Sequence, residues 1–113
     1  RPAPDRKLAI KTPENTVLVD IEDIDWVDAA GDYMCLHVKG ETLILRSTLK
    51  QLIQRLDPEQ FKRIHRSTIV NLERIVRVMP LKKGEYLLDL GNDEQLKVSR
   101  NYREAIKSLL ESR

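Results

Sequence analysis

Hydrophobic and polar positions along most of this chain alternate with a period of two, the spacing of strands with one buried face. Leu8-Ala9-Ile10, Thr16-Val17-Leu18-Val19 and Asp25-Trp26-Val27 are short β-prone runs separated by Pro13, Asn15 and acidic clusters. Tyr33 to Lys39 predicts a longer strand, which Gly40-Glu41 turns into Thr42-Leu43-Ile44-Leu45 as a hairpin. Further strands are expected over Arg74–Met79, Glu85–Leu90 and Gln95–Val98, punctuated by Pro80, Lys83-Gly84 and Gly91-Asn92-Asp93. Two segments depart from this period. Leu49, Leu52, Ile53 and Leu56 fall on one stripe of an amphipathic helix, with Ser47 as the expected N-cap and Asp57-Pro58 as its end. Ile106, Leu109 and Leu110 stripe a C-terminal helix that Ser99 or Asn101 would cap, Asn101 and Glu104 having the spacing of a capping box. The expected fold class is mainly β (β-rich α+β), with short antiparallel sheets and two short helices.

A chain of 113 residues has room for one domain and too little for two well-packed ones. With 41% hydrophobic and 34% charged residues it is a globular mixture, neither collagen-like nor wholly disordered. Apolar runs are too short to span a bilayer, and Arg1 to Lys11 has no apolar core of a signal peptide. No membrane contact and a cytoplasmic setting are expected. The Arg-Pro-Ala-Pro-Asp-Arg opening, without an initiator methionine, reads as the end of an interdomain linker. Residues 1–13 are therefore assigned to the linker and first strand, and 14–113 to the domain proper.

Charge changes this picture when it is divided along the chain. The formal net charge is only +2, yet Glu14 to Leu45 holds eight acidic residues and one lysine, a net of −7. Arg46 to Arg77 holds eight basic residues against three acids, a net of +5, and Lys97, Arg100, Arg103 and Lys107 add to it. Such segregation is the footprint of a polyanion binder, although ordinary solvated faces give the same count.

Candidate chemistry is sparse. Cys35 and His37 share a strand face without a third group to orient a base, and Cys35 reads as a structural cysteine. His37 and His65 lie far apart, with no cluster at metal-ligand spacing, and the early carboxylates lack a cation-loop order. No enzyme, metal or cofactor is expected. Phe61 to Leu72 differs: Phe61, Ile64, Ile69, Val70 and Leu72 read as anchors of a loop. Between them Arg63, His65, Arg66, Ser67 and Thr68 can donate to phosphates or base edges. His65 equally fits a hydrogen-bonded histidine that shapes the turn, while Trp26 and Tyr102 read as packing residues. Ser99-Arg100-Asn101, expected at a helix N-terminus, is a second polar cluster.

Phe61 through Leu72, followed by Ile75, resembles the central signature of the LytTR-type DNA-binding domain of bacterial response regulators. Ile24 to Tyr33, Leu45 to Lys50 and Val98 to Tyr102 agree with that family in the same order, covering roughly Leu18 to Leu110. The resemblance implies sequence-specific binding of double-stranded DNA, with loops rather than a recognition helix entering successive major grooves. It implies contacts from Asp32, Tyr33 and Met34, from Arg66 between His65 and Ser67, and from Ser99, Arg100 and Asn101. Met34 stands where some members carry a polar or basic residue. Asn101 stands where many carry a second arginine, which would move preference from guanine toward adenine. The family further implies paired direct repeats with two domains per site, and an upstream receiver or sensor domain. The alternative from another class is a small β-rich protein-interaction or ligand-sensing module whose basic pole meets an acidic partner.

Overall fold

In the computed structural model, described for residues 6–111, the period-two runs become antiparallel sheets. β1 (Lys7–Lys11) and β2 (Thr16–Asp20) form a hairpin. β3 (Ile24–Ala30), β4 (Tyr33–Val38), β5 (Glu41–Arg46), β6 (Phe61–His65) and β7 (Thr68–Asn71) make a five-stranded sheet in the order β5-β4-β3-β7-β6. β8 (Arg77–Pro80), β9 (Tyr86–Gly91) and β10 (Glu94–Val98) form a third sheet in the order β10-β9-β8. Helix α1 (Leu49–Ile53) lies between β5 and β6, and α2 (Lys107–Leu110) follows a 3-10 segment over Arg100–Ile106. The fold is mainly β with two short helices, as the alternation predicts. Among the described residues no helix is long and apolar enough to cross a membrane.

The five-stranded sheet is a wall between two cores. Because strand side chains alternate, Ile69 of β7 enters one core and its neighbour Val70 the other, both fully buried. The first core joins Val27, Met34, Leu36, Phe61 and Ile69 to Leu8 and Ile10 of β1 and to Leu49, Leu52 and Leu56 around α1. The second joins Ile64 and Val70 to Leu88, Leu96 and Val98 of the third sheet and to Ile106. Two register shifts make this possible. One between Ile24 and Trp26 lets Ile24 and Val27, three apart, both face the first core. Another, between Arg63 and His65, leaves Ile64 unpaired and turned into the second core.

Several local expectations change. Phe61 to Leu72 is a tight hairpin, β6 and β7 closing directly around Arg66-Ser67, rather than a loop between anchors. The first helix is capped by Thr48, not Ser47: Thr48 accepts from the Gln51 amide and the Gln51 side chain accepts from the Thr48 amide, a complete capping box. The helix also ends at Ile53, so Leu56 is buried from a turn beyond it. At the C-terminus no side chain caps either helical segment, so neither Ser99 nor Asn101 acts there as predicted. β8 begins only at Arg77, because Leu72–Arg74 coils into a 3-10 turn that Asn71 caps. The β4–β5 turn is Lys39-Gly40 with φ of 51° and 83°, a twist-matched hairpin turn that glycine tolerates. β1 belongs to the folded unit, since Leu8 and Ile10 are buried; of the Arg-Pro-Ala-Pro-Asp-Arg opening expected to be linker, residues 1–5 lie outside the described residues.

Asn71 is the buried polar residue that ties these parts together. Its amide donates to the Ile24 carbonyl at 2.9 Å and the Glu22 carbonyl at 3.4 Å, while its oxygen accepts from the Glu73 amide at 3.0 Å. Asn71→Ala would strand those buried groups and is expected to cost about 1–3 kcal/mol. Ile64→Ala is expected to cost about 2–5 kcal/mol through cavity formation. Chemical denaturation checks both; an unchanged midpoint for either contradicts the packing described. Cys35, half-buried on β4, has its thiol pushed above the ordinary range by burial and then by the Asp28 charge. Less thiolate is present at neutral pH than in an ordinary cysteine, so alkylation is expected to be slower than that of a free thiol and to accelerate in alkali. Mass-spectrometric labelling against pH measures this, and labelling at the free-thiol rate contradicts it.

Candidate nucleic-acid interface

Strand directions decide where the predicted residues meet. Asp28 near the end of β3 pairs with Thr68 at the start of β7, and Tyr33 at the start of β4 pairs with Arg46 at the end of β5. The Gly31-Asp32 turn and the Arg66-Ser67 turn therefore lie on the same rim of the five-stranded sheet, about 10 Å apart at two strand spacings. The Ser99 amide donates to the Ile64 carbonyl at 2.9 Å, which brings Ser99, Arg100 and Asn101 to the β6 end of that rim. All three predicted clusters are brought together along one edge, in the order Asp32, Arg66, Arg100.

The Arg66 turn is clamped from below. Its backbone is held by the Ala29 amide, which donates to the Ser67 carbonyl at 2.9 Å. Arg63 sends Nε to the His65 carbonyl at 3.3 Å and Nη2 to the Arg66 carbonyl, and its guanidinium stands 5.9 Å from the Tyr102 ring centre. The Ser67 amide donates to Nδ1 of His65 at 3.2 Å, with the Ser67 hydroxyl 3.0 Å from the same nitrogen. Nδ1 is thus the acceptor, and in the neutral ring the proton sits on Nε2. Arg63, His65 and Ser67 are engaged in building the turn. Thr68 is half-buried as the first residue of β7. Arg66 alone in this group is exposed.

The other two clusters divide similarly. Asp32 and Tyr33 are exposed, Tyr33 at 46%. Met34, by strand alternation, points the opposite way and is 2% exposed in the first core, so its side chain is not offered to a ligand. Arg100 and Asn101 are exposed and Ser99 is half-buried. The segment they begin is a 3-10 turn, so the expected α-helical N-terminus is absent and the two side chains carry whatever chemistry this loop has. Arg46 and the Lys82-Lys83-Gly84 turn also belong to this side of the molecule. Arg46 pairs with Tyr33, and an added Cβ on Gly84 would lie 3.0 Å from Nη1 of Arg103. In the sequence Lys83-Gly84 reads only as turn punctuation and Lys82 carries no assigned role; the lysine pair before glycine is the available signal.

The opposite rim is acidic. Glu22, Asp23, Asp25 and Glu41 gather there with Glu73, and two of its cations are matched: Lys39 by Asp23 at 3.3 Å and Arg74 by Asp25 at 3.2 Å. Arg74 also donates to the Glu22 carbonyl at 2.9 Å, so it does not belong to the positive region where its sequence neighbours placed it. Trp26 is half-buried and stacks on His37 with ring centres 3.9 Å apart and planes within 10°. Nε2 of His37 bonds Asp28 at 2.6 Å. Among the described residues no group of histidine, cysteine and carboxylate side chains is arranged to hold a metal ion.

Comparison with known proteins gives this arrangement a family. The sequence profile of the LytTr DNA-binding domain matches residues 14–111. The sensory transduction protein LytT of Bacillus cereus is 35% identical over 104 residues, which is 92% of this chain and 42% of that protein. The heme-containing CO-sensing transcriptional regulator RcoM 2 of Paraburkholderia xenovorans is 32% identical over 112 residues, 96% of this chain and 42% of that protein. The chain thus spans less than half the length of these relatives. In fold it is similar to the LytTr DNA-binding domain of a putative methyl-accepting/DNA response regulator from Bacillus cereus. That likeness has a TM-score of 0.84 at 24% identity and covers 96% of this chain and 99% of the other. With its profile matched across nearly its whole length, and with the fold to go with it, the chain belongs to the LytTr DNA-binding domain family, a family of DNA-binding domains and not of enzymes.

Proposed function

We propose that this domain binds double-stranded DNA sequence-specifically, as the output module of a cytoplasmic bacterial transcription regulator. The loops of the basic rim enter successive major grooves. The observation that carries this reading is the clamped turn under Arg66. Its backbone is fixed by Ala29, Arg63 and Ser67, while its one exposed side chain is the residue best suited to bond O6 and N7 of guanine together. Fixing the backbone beforehand lowers the ordering cost of binding. Arg100 and Asn101 supply a second reading pair at the β6 end, Asn101 favouring adenine. Asp32 and Tyr33 meet the duplex at the far end. The molecule is 45 Å in its longest dimension, longer than the roughly 34 Å of one turn of duplex DNA.

In the full regulator, a receiver or sensor domain precedes this module, and two such modules occupy paired direct repeats. The matched relatives extend well beyond the region they share with this chain, which leaves room for such a domain. Selection of bound duplexes from a random pool tests the reading: a defined motif is expected, and a pool with no enriched sequence contradicts it.

Two substitutions separate reading from positioning. Arg66→Ala is expected to weaken the selected complex by about 1–3 kcal/mol and binding to scrambled DNA much less. Equal losses on both duplexes would reduce Arg66 to a phosphate contact. Arg63→Lys keeps the charge but cannot reach two carbonyls with one planar fork, so it is expected to lower affinity for the selected duplex at an unchanged salt slope. Wild-type discrimination in Arg63→Lys would show that the turn holds itself.

A further inference from the structure

We propose that the Lys82-Lys83-Gly84 turn, with Arg103 against it, is a clamp for the DNA sugar-phosphate backbone beside the base-reading loops. The proposal rests on the duplex-binding reading above and adds Lys82, Lys83 and Arg103, which lie outside the sequence signature and the three clusters; Arg100, which adjoins them, keeps its reading role. The turn is built to hold two lysines outward. Lys83 and Gly84 take successive left-handed conformations, φ 64° and 77°, and the Leu81 amide closes the turn on the Glu85 carbonyl at 2.8 Å. Glycine suits the second position by its φ, and a Cβ there would crowd two arginine side chains. A Cβ there would lie 3.0 Å from Nη1 of Arg103 and 3.2 Å from Cγ of Arg100. The bare Gly84 backbone thus lets two arginines approach a turn that already carries two lysines.

Exposed like charges are screened by water and salt, so the four can stand near one another and remain open to a counter-charge from outside. Among the described residues no carboxylate lies within ion-pair distance of Lys82, Lys83, Arg100 or Arg103. Lys7, Lys39, Arg74 and Lys97 each have such a partner. The acid next in sequence, Glu85, is taken by Lys97 at 3.2 Å. All four cations are exposed and none is enclosed, so the cluster suits an extended polyanion rather than a small phosphate compound. A duplex strand, with one phosphate per ~3.4 Å of axis, presents several charges to such a group at once. The cluster also adjoins the reading rim, since the 3-10 segment bearing both arginines follows directly on Ser99, whose amide is bonded to the Ile64 carbonyl of β6. A phosphate contact here would set the register of the domain on the duplex without reading sequence.

Affinity measured against salt tests this, using a duplex selected by the wild-type domain and its scrambled counterpart. Lys82→Gln/Lys83→Gln is expected to flatten the log–log slope by about one to two, and Arg103→Gln by about one, equally on both duplexes. Lys82→Arg/Lys83→Arg should keep the wild-type slope. Lys39→Gln, on the acidic rim, should leave it unchanged, and thermal melting confirms that each variant is folded. A wild-type slope in the double glutamine variant overturns the clamp while leaving duplex binding intact. A wild-type domain that shows no salt-dependent binding to either duplex fails the parent reading, and the clamp with it.

Discussion

Pairing of β3 with β7 is the constraint on which the rest of the molecule depends. It joins Trp26, Val27 and Asp28 to Val70, Ile69 and Thr68, positions 40 to 44 apart in the chain, and so unites the β3–β4–β5 meander with the β6–β7 hairpin. Without it neither core closes, because β7 supplies Ile69 to one and Val70 to the other. Loop closure over that distance carries an entropic cost before any contact forms. The Asn71 amide, bonded to the Ile24 and Glu22 carbonyls, reinforces the pairing where β7 ends. The same register sets the functional edge. Because Asp28 faces Thr68, the Arg66 turn and the Gly31-Asp32 turn must emerge side by side.

The sheet also sorts charge. Antiparallel strands send alternate turns to opposite rims, and acidic residues lie at one while unpaired cations line the other. Lys39 and Arg74 are absorbed by Asp23 and Asp25 on the acidic side. Each such exposed pair adds about 0–1 kcal/mol to stability. Their larger effect is on the field, since they neutralise the cations of the acidic rim, while Arg46, Arg66 and Arg100 at the other rim have no carboxylate within ion-pair distance among the described residues. A molecule polarised in this way approaches a polyanion with its reading rim forward. Within that rim the division of labour is local: side chains that bond the turn backbone, such as Arg63 and His65, position those that remain free.

Much of this was legible in the chain. The alternation in Tyr33–Val38 and Thr42–Leu45 predicted the hairpin, and the ordered signature from Ile24 to Tyr102 predicted the family. The same alternation, followed strictly, would have placed Met34 beside Leu36 in the core rather than with Asp32 and Tyr33. The β6–β7 hairpin was hidden because the unpaired Ile64 breaks the period, so Phe61 and Ile64 look like scattered anchors. Thr48 as the cap was readable from Gln51 three residues on, but Ser47 is an equally good capping type. Residue chemistry alone does not tell Arg63 from Arg66, since both are arginines beside the same turn; the family resemblance singles out Arg66, and the fold commits Arg63 to carbonyls. The Lys82–Gly84 turn meets Arg100 and Arg103 at Gly84 through a long-range contact that no local pattern encodes.

The central claim is that the rim bearing Asp32, Arg66 and Arg100 meets duplex DNA while the rim bearing Lys39 and Glu41 does not. Backbone amide NMR shifts, followed while a selected duplex is titrated into the domain, test this most directly. The account predicts that the largest changes fall at residues 31–33, 65–68 and 99–103, with residues 39–41 and 73–74 unmoved. Changes concentrated at the Lys39–Glu41 rim, with the Arg66 turn silent, would contradict it.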